Sequence, residues 1–205
     1  ISMEEQYIEM YEKLPGLIFG FHGCSLKTYQ NVLYEGKTLK KSENKYDWLG
    51  NGIYFWENSY SRALEWARKK YCEDAAVVGA IIDLGCCLNL TDYHSSEILK
   101  KGYELLSAKC RQAGVPIPQN GKENKRGDVL LRDLDCAVIQ QLHTYNQEQG
   151  KTGYDSVRGV FWEGEEIYPG SGFRKKTHTQ LCIVNPNCIK GYFRPVESDE
   201  KFSIP

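Results

Sequence analysis

Most of the patterns that announce a chemistry are missing from this sequence. It has no G-x-S-x-G elbow for a serine nucleophile, no G-x-x-x-x-G-K-[ST] loop for a nucleoside triphosphate and no G-x-G-x-x-G turn opening a helix. There is no H-x-x-x-H pair. His94, His143 and His178 are scattered and read as structural or surface histidines, so no metal is implied and a Ser-His-Asp triad has no support. None of the eight cysteines forms a C-x-x-C pair, and the adjacent Cys86 and Cys87 are poorly spaced for a metal. No apolar run approaches the roughly 20 residues a membrane helix needs, and nothing near the N-terminus resembles a signal peptide. No membrane partner is therefore expected, and buried, reduced thiols in a cytoplasmic setting are. An excess of either charge is lacking too. With 26 basic against 27 acidic residues, no global pull toward nucleic acid exists.

What is present describes an ordered globular chain. It has 205 residues, 41% hydrophobic, 26% charged and 12% aromatic, and a chain of this length buries roughly 70% of the surface its unfolded form exposes. Ile1-Ser2, ahead of Met3, reads as a remnant foreign to the fold, so one domain is expected over residues 3–205.

Periodicity and punctuation divide that domain. Tyr7, Ile8, Met10, Tyr11 and Leu14 predict a helix over 4–14, stopped by Pro15-Gly16. Residues 17–21 read as a buried strand. Ser25 is placed to cap a helix carrying Leu26, Tyr29, Val32 and Leu33, closed by Gly36. A polar loop over 37–48 precedes Gly50-Asn51-Gly52 and a strand over 53–56. Asn58 or Ser59 opens a helix to about Tyr71. Residues 75–84 are the most hydrophobic strand, with 86–90 continuing the sheet. Two amphipathic helices follow, 95–112 and 128–147, joined by a Gly-, Pro- and charge-rich loop over 114–127. Strands are expected over 154–162, 177–184 and 189–193. The irregular mixture predicts an α+β fold, not a doubly wound sheet.

Two segments stand out. Phe19-Gly20-Phe21-His22-Gly23-Cys24-Ser25 sets an imidazole and a glycine where a strand leaves the core. Leu49-Gly50-Asn51-Gly52-Ile53-Tyr54-Phe55-Trp56 runs into a helix carrying Ala63, Trp66 and Ala67. Taken singly, these are a strand-end histidine and a glycine turn beside aromatic core. A third segment, Gln180-Leu181-Cys182-Ile183-Val184-Asn185-Pro186, is an alternating strand closed by a proline turn.

In this order the three resemble the motifs of the ADP-ribosyltransferase superfamily, and most closely its branch of poly(ADP-ribose) polymerases and diphtheria toxin, whose triad is His-Tyr-Glu. The likeness spans residues 17–193. It implies a split β-sheet with flanking helices and an NAD-binding cleft between the halves. It also implies that His22 bonds a ribose hydroxyl, that the backbone of Gly23 clamps the nicotinamide carboxamide, and that Tyr54 stacks on the nicotinamide ring. Trp66 matches the opposing aromatic once one residue is inserted over 57–62. Ala63 then stands where the polymerases have a serine, with Ser61 one turn away as its substitute.

Gln180 departs from the family glutamate. An amide keeps a hydrogen bond but has no charge and takes no proton, which argues against chain elongation and leaves transfer to a single acceptor. Residues 161–176 occupy the place of the family's acceptor-recognition loop, and Glu163 or Glu165 is the expected catalytic carboxylate there. The cationic clusters, 174–176 and 122–132, could each meet a phosphate backbone or an acidic protein surface but read as solvated loops, and the second carries no interleaved stacking aromatics. The resemblance thus implies a mono-ADP-ribosyltransferase that cleaves NAD and passes ADP-ribose to a macromolecular acceptor, protein before nucleic acid. The alternatives are an NAD glycohydrolase and an inactive module binding NAD or ADP-ribose.

Overall fold

The structure, a computed structural model, describes residues 16–124 and 127–204; the helix expected over 4–14 lies outside them. The described residues form a mixed α/β fold, a seven-stranded sheet flanked by four α-helices. The elements in chain order are β1 (Ile18–Ser25), α1 (Leu26–Leu33), β2 (Ile53–Glu57), α2 (Tyr60–Tyr71), β3 (Ala75–Ile82), β4 (Cys87–Asn89), α3 (Ser95–Ala113), α4 (Asp133–Glu148), β5 (Ser156–Phe161), β6 (His178–Ile183) and β7 (Ile189–Phe193).

The order across the sheet is β4-β5-β6-β2-β1-β3-β7. All neighbours are antiparallel except β4 and β5. The segment expected to extend the sheet after β3 therefore crosses to the opposite edge. β3 reads AAVVGAII, apolar at every position, because it is a central strand packed on both faces. The ladder narrows at one seam: β1 pairs with β3 over eight positions but with β2 over two, Gly20 with Glu57 and Phe21 with Trp56.

Local chemistry sets the helix ends. The Ser25 hydroxyl accepts the Thr28 N–H, and Gly114 closes α3 in the left-handed conformation. α4 starts at Asp133, not at 128. Val129 and Leu130 suggested a helical stripe, but residues 128–132 run outside the helix, where Asp128 accepts the Gly164 N–H and the Leu130 carbonyl accepts the Trp48 indole N–H. The Arg132 guanidinium lies 4.8 Å from the Trp48 ring and 5.1 Å from the Phe161 ring, which clasps this segment onto the sheet.

Side chains directly opposite on antiparallel strands share a face. One face bears Ile53, Phe55, Val78, Ala80, Ile82, Leu181 and Ile183, covered by Val32 and Leu39. The other bears Cys182, Val157, Leu88 and Phe161 beneath Ile139 and Leu142 of α4, and Trp56 and Val77 beneath Ala63 of α2. Between those two packed regions lie Gln180, His178 and the loop after β5.

Candidate functional site

The narrow β1–β2 seam positions the first two motifs. Beyond Phe21 and Trp56 the strands lose their ladder, and the His22 ring bridges them: Nδ1–H donates to the Tyr54 carbonyl at 2.7 Å. A carbonyl only accepts, so the proton is on Nδ1 and Nε2 keeps its lone pair. Burial holds the ring pKa below its ordinary value, with Lys70 adding to the effect and the bond to Tyr54 opposing it. His22 is thus a neutral imidazole with an acceptor nitrogen, the form that receives a hydroxyl hydrogen.

Gly23 is buried against α2. A Cβ there would come 2.4 Å from the Ala63 carbonyl oxygen and 3.3 Å from the Ala67 methyl. This close approach accounts for the glycine and for the small residues at 63 and 67.

Tyr54 stands opposite Cys182, on the face of Trp56 and Gln180. Its hydroxyl accepts the Leu49 N–H at 2.8 Å and donates to the Gly50 carbonyl at 2.6 Å, so it pins the glycine turn beside it. Burial raises its pKa and the phenol stays protonated. Trp66 is part-exposed on α2, its ring 5.7 Å from Trp56, with Lys70 Nζ 4.7 Å above it. Ser61 is exposed on the same helix and makes no hydrogen bond with the described residues.

Gln180 lies in mid-strand between Trp56 and Gly159, half-buried, its amide without a hydrogen bond to the described residues. The two loop glutamates separate clearly. Glu165 is exposed and pairs with Lys175 at 3.4 Å. Glu163 leaves 12% of its side chain exposed, takes Arg62 Nη2 at 3.2 Å, and sits 3.6 Å from His178 Nδ1. Burial pushes its pKa up, while Arg62 opposes the shift. Glu163, and not Glu165, is therefore the carboxylate held beside the strand of Gln180.

Sequence reasoning did not select Arg62, Trp56 or His178, although His178 precedes Gln180 by two residues and so shares its face. The Trp48, Phe161, His178 and Trp56 rings run in series, with centroids 4.5 to 6.4 Å apart, over this part of the sheet. The 174–176 cluster is consumed internally: Arg174 stacks on Trp162 at 4.6 Å, Lys175 pairs with Glu165 and Lys176 with Glu65. Cys24, next to Gly23, is buried and its thiol is pushed up to about 11, so it holds little thiolate at neutral pH.

Five of the eight cysteines are buried, and no group of three potential metal ligands occurs among the described residues. No helix among them is long and apolar enough to cross a membrane. One concavity of about 490 Å³ is lined by residues including Glu43, Lys45, Asn51, Asp133 and Gln140. A second, of about 550 Å³, is lined by Tyr29 and residues 194–197. Neither includes His22, Tyr54, Trp66 or Gln180.

No family model matches the chain. It is similar to a protein of Methanocaldococcus jannaschii described as uncharacterized, 23% identical over 193 residues that cover 83% of each chain.

Proposed function

We propose that this chain is a mono-ADP-ribosyltransferase: it binds NAD as a co-substrate at the β1–β2 seam, releases nicotinamide and transfers ADP-ribose to a macromolecular acceptor, protein before nucleic acid. The observation that carries the reading is the His22 bridge. It fixes the imidazole as a neutral ring whose Nε2 keeps a lone pair for a ribose hydroxyl hydrogen; the ring lies on the Val78 and Phe55 face, so a ligand that also meets Tyr54 and Gln180 must enter the seam between β1 and β2.

In this reading the protein acts mainly by position and electrostatics. His22 orients the nicotinamide ribose, the Gly23 backbone holds the carboxamide, and Tyr54 and Trp66 present aromatic surface to the nicotinamide ring. Gln180 offers its amide oxygen to a ribose hydroxyl without adding charge. Glu163, screened by Arg62, supplies negative potential near the developing oxocarbenium ion. Ser61 would need to turn inward to reach the carboxamide, and Glu165 is spent on Lys175.

A second reading, hydrolysis of NAD to free ADP-ribose, is favoured by the buried polar atoms around Glu163 described below. A module that only binds NAD or ADP-ribose is the third, favoured by the uncharged Gln180.

The test is nicotinamide release from NAD by the purified chain beside His22→Ala and Tyr54→Ala. Release by wild type and a loss of about 100-fold or more in both variants is expected. NAD-dependent stabilisation without release would favour the binding module. Neither release nor stabilisation would overturn the reading.

A further inference from the structure

Three buried polar atoms near Gln180 have no hydrogen-bond partner among the described residues: Trp56 Nε1, Arg62 Nε and His178 Nε2. A buried polar atom left unpaired is costly because it gives up its hydrogen bonds to water without replacement, so three in one neighbourhood call for an occupant. The neighbourhood is small. The His178 and Trp56 rings are 6.4 Å apart, and Arg62 and His178 converge on the same Glu163 oxygen at 3.2 and 3.6 Å. Gln180 stands directly across from Trp56.

The chemistry of the three atoms defines what fits. Indole Nε1 and guanidinium Nε only donate. His178 Nδ1 lies 2.6 Å from the Lys176 carbonyl, which only accepts, so Nδ1 carries the hydrogen and Nε2 the lone pair. Burial keeps that ring neutral, lowering its pKa to about 4. Two donors and one acceptor match an O–H group whose oxygen receives the Trp56 and Arg62 hydrogens and whose own hydrogen points at His178. A phosphate or carboxylate would face the lone pair and Glu163, and an ammonium would face two N–H groups.

We propose that Trp56, Arg62 and His178 form an acceptor subsite for a hydroxyl oxygen, from water or from a hydroxyl-bearing side chain of the acceptor, and that His178 Nε2 takes its proton. This rests on the ADP-ribosyltransferase reading above. The C1′–N bond of NAD breaks and nicotinamide leaves with the bonding pair as a neutral base. The hydroxyl oxygen bonds to C1′, and its proton passes to His178 Nε2 and then to solvent. His178 thereby provides the base that Gln180 cannot.

The experiment follows nicotinamide, free ADP-ribose and peptide-bound ADP-ribose, with NAD and a serine- and threonine-containing peptide as probes. His178→Asn and His178→Gln should lose kcat by about 100-fold with KM for NAD unchanged. Trp56→Phe, which keeps an aromatic ring but removes the N–H donor together with part of the indole, should lose about tenfold and serves if the His178 variants fail to fold. Free ADP-ribose identifies water as the occupant and the peptide adduct identifies a side-chain hydroxyl. An unchanged kcat in folded His178 variants overturns the proposal. If wild type neither binds nor cleaves NAD, the parent reading and the proton role fall together. The hydroxyl-binding subsite is then decided by a high-resolution crystal structure. An ordered oxygen within hydrogen-bond distance of two of the three nitrogens supports it, and their closure onto protein partners overturns it.

Discussion

A glutamine at position 180 carries an NH₂ group where a glutamate would carry its second oxygen, and the proposed chemistry depends on that difference. Gln180 is half-buried, lies across from Trp56 and makes no hydrogen bond to the described residues, so its amide is available to a ligand. Restoring the charge should strengthen stabilisation of a developing cation. Gln180→Glu is expected to raise nicotinamide release by about tenfold, measured as initial rate at saturating NAD. No change, with NAD binding intact, would place the limiting chemistry elsewhere. The same scale explains why Glu163 and Glu165, two residues apart, diverge. Glu163 is folded inward against Arg62, whereas Glu165 faces solvent with Lys175. Nothing in the run Trp162-Glu163-Gly164-Glu165-Glu166 distinguishes them, because the distinction depends on Arg62, about a hundred residues earlier.

Elements position the seam by contact with one another. α2 lies so close to β1 that Gly23 meets the Ala63 carbonyl, and any side chain at 23 must displace the helix that carries Arg62 and Trp66. Gly23→Ala is expected to destabilise the fold by about 1–3 kcal/mol and to weaken NAD binding with it. Gly191→Ala in β7, where a Cβ meets nothing within 4 Å, is the control and should be close to neutral in urea unfolding. Equal stability of the two variants would mean that α2 does not pack as described. The His22-Gly23 pair and the Gly52–Trp56 run were legible in the sequence because glycine and aromatic residues mark close approach and strand core locally. The start of α4 was not. Val129 and Leu130 satisfy a helical stripe, but the segment is held outside the helix by Trp48 and Gly164, contacts with no local signature.

For the whole molecule, buried neutral histidines make stability depend on pH. Free histidine takes up a proton near 6.5 and folded His178 at about 4, so the unfolded state binds more protons between those values. Stability must therefore decline as pH falls through that window, with no further loss from this group below about 4. His178 accounts for about 2–3 kcal/mol between pH 7 and pH 4.5. His22 and His143, also lowered by burial, add to the decline, and Glu163, raised by burial, opposes it. Urea unfolding across this range should show the decline in wild type and a shallower one in His178→Gln. Parallel curves would mean that His178 titrates normally.

Seven strands, the helices after β1, β2 and β4, and the three motif segments were determined by the sequence alone, since hydrophobic period, capping serine and glycine turns act over a few residues. Tertiary structure decided the rest: the crossing of β4 to pair with β5, the two-position β1–β2 seam, the burial of Glu163, and the meeting of Trp56, Arg62 and His178 around it. These depend on contacts between residues distant in sequence, about 35 positions across the β1–β2 seam and 101 between Arg62 and Glu163, where packing and desolvation, not local propensity, set which groups share a face and which remain unpaired.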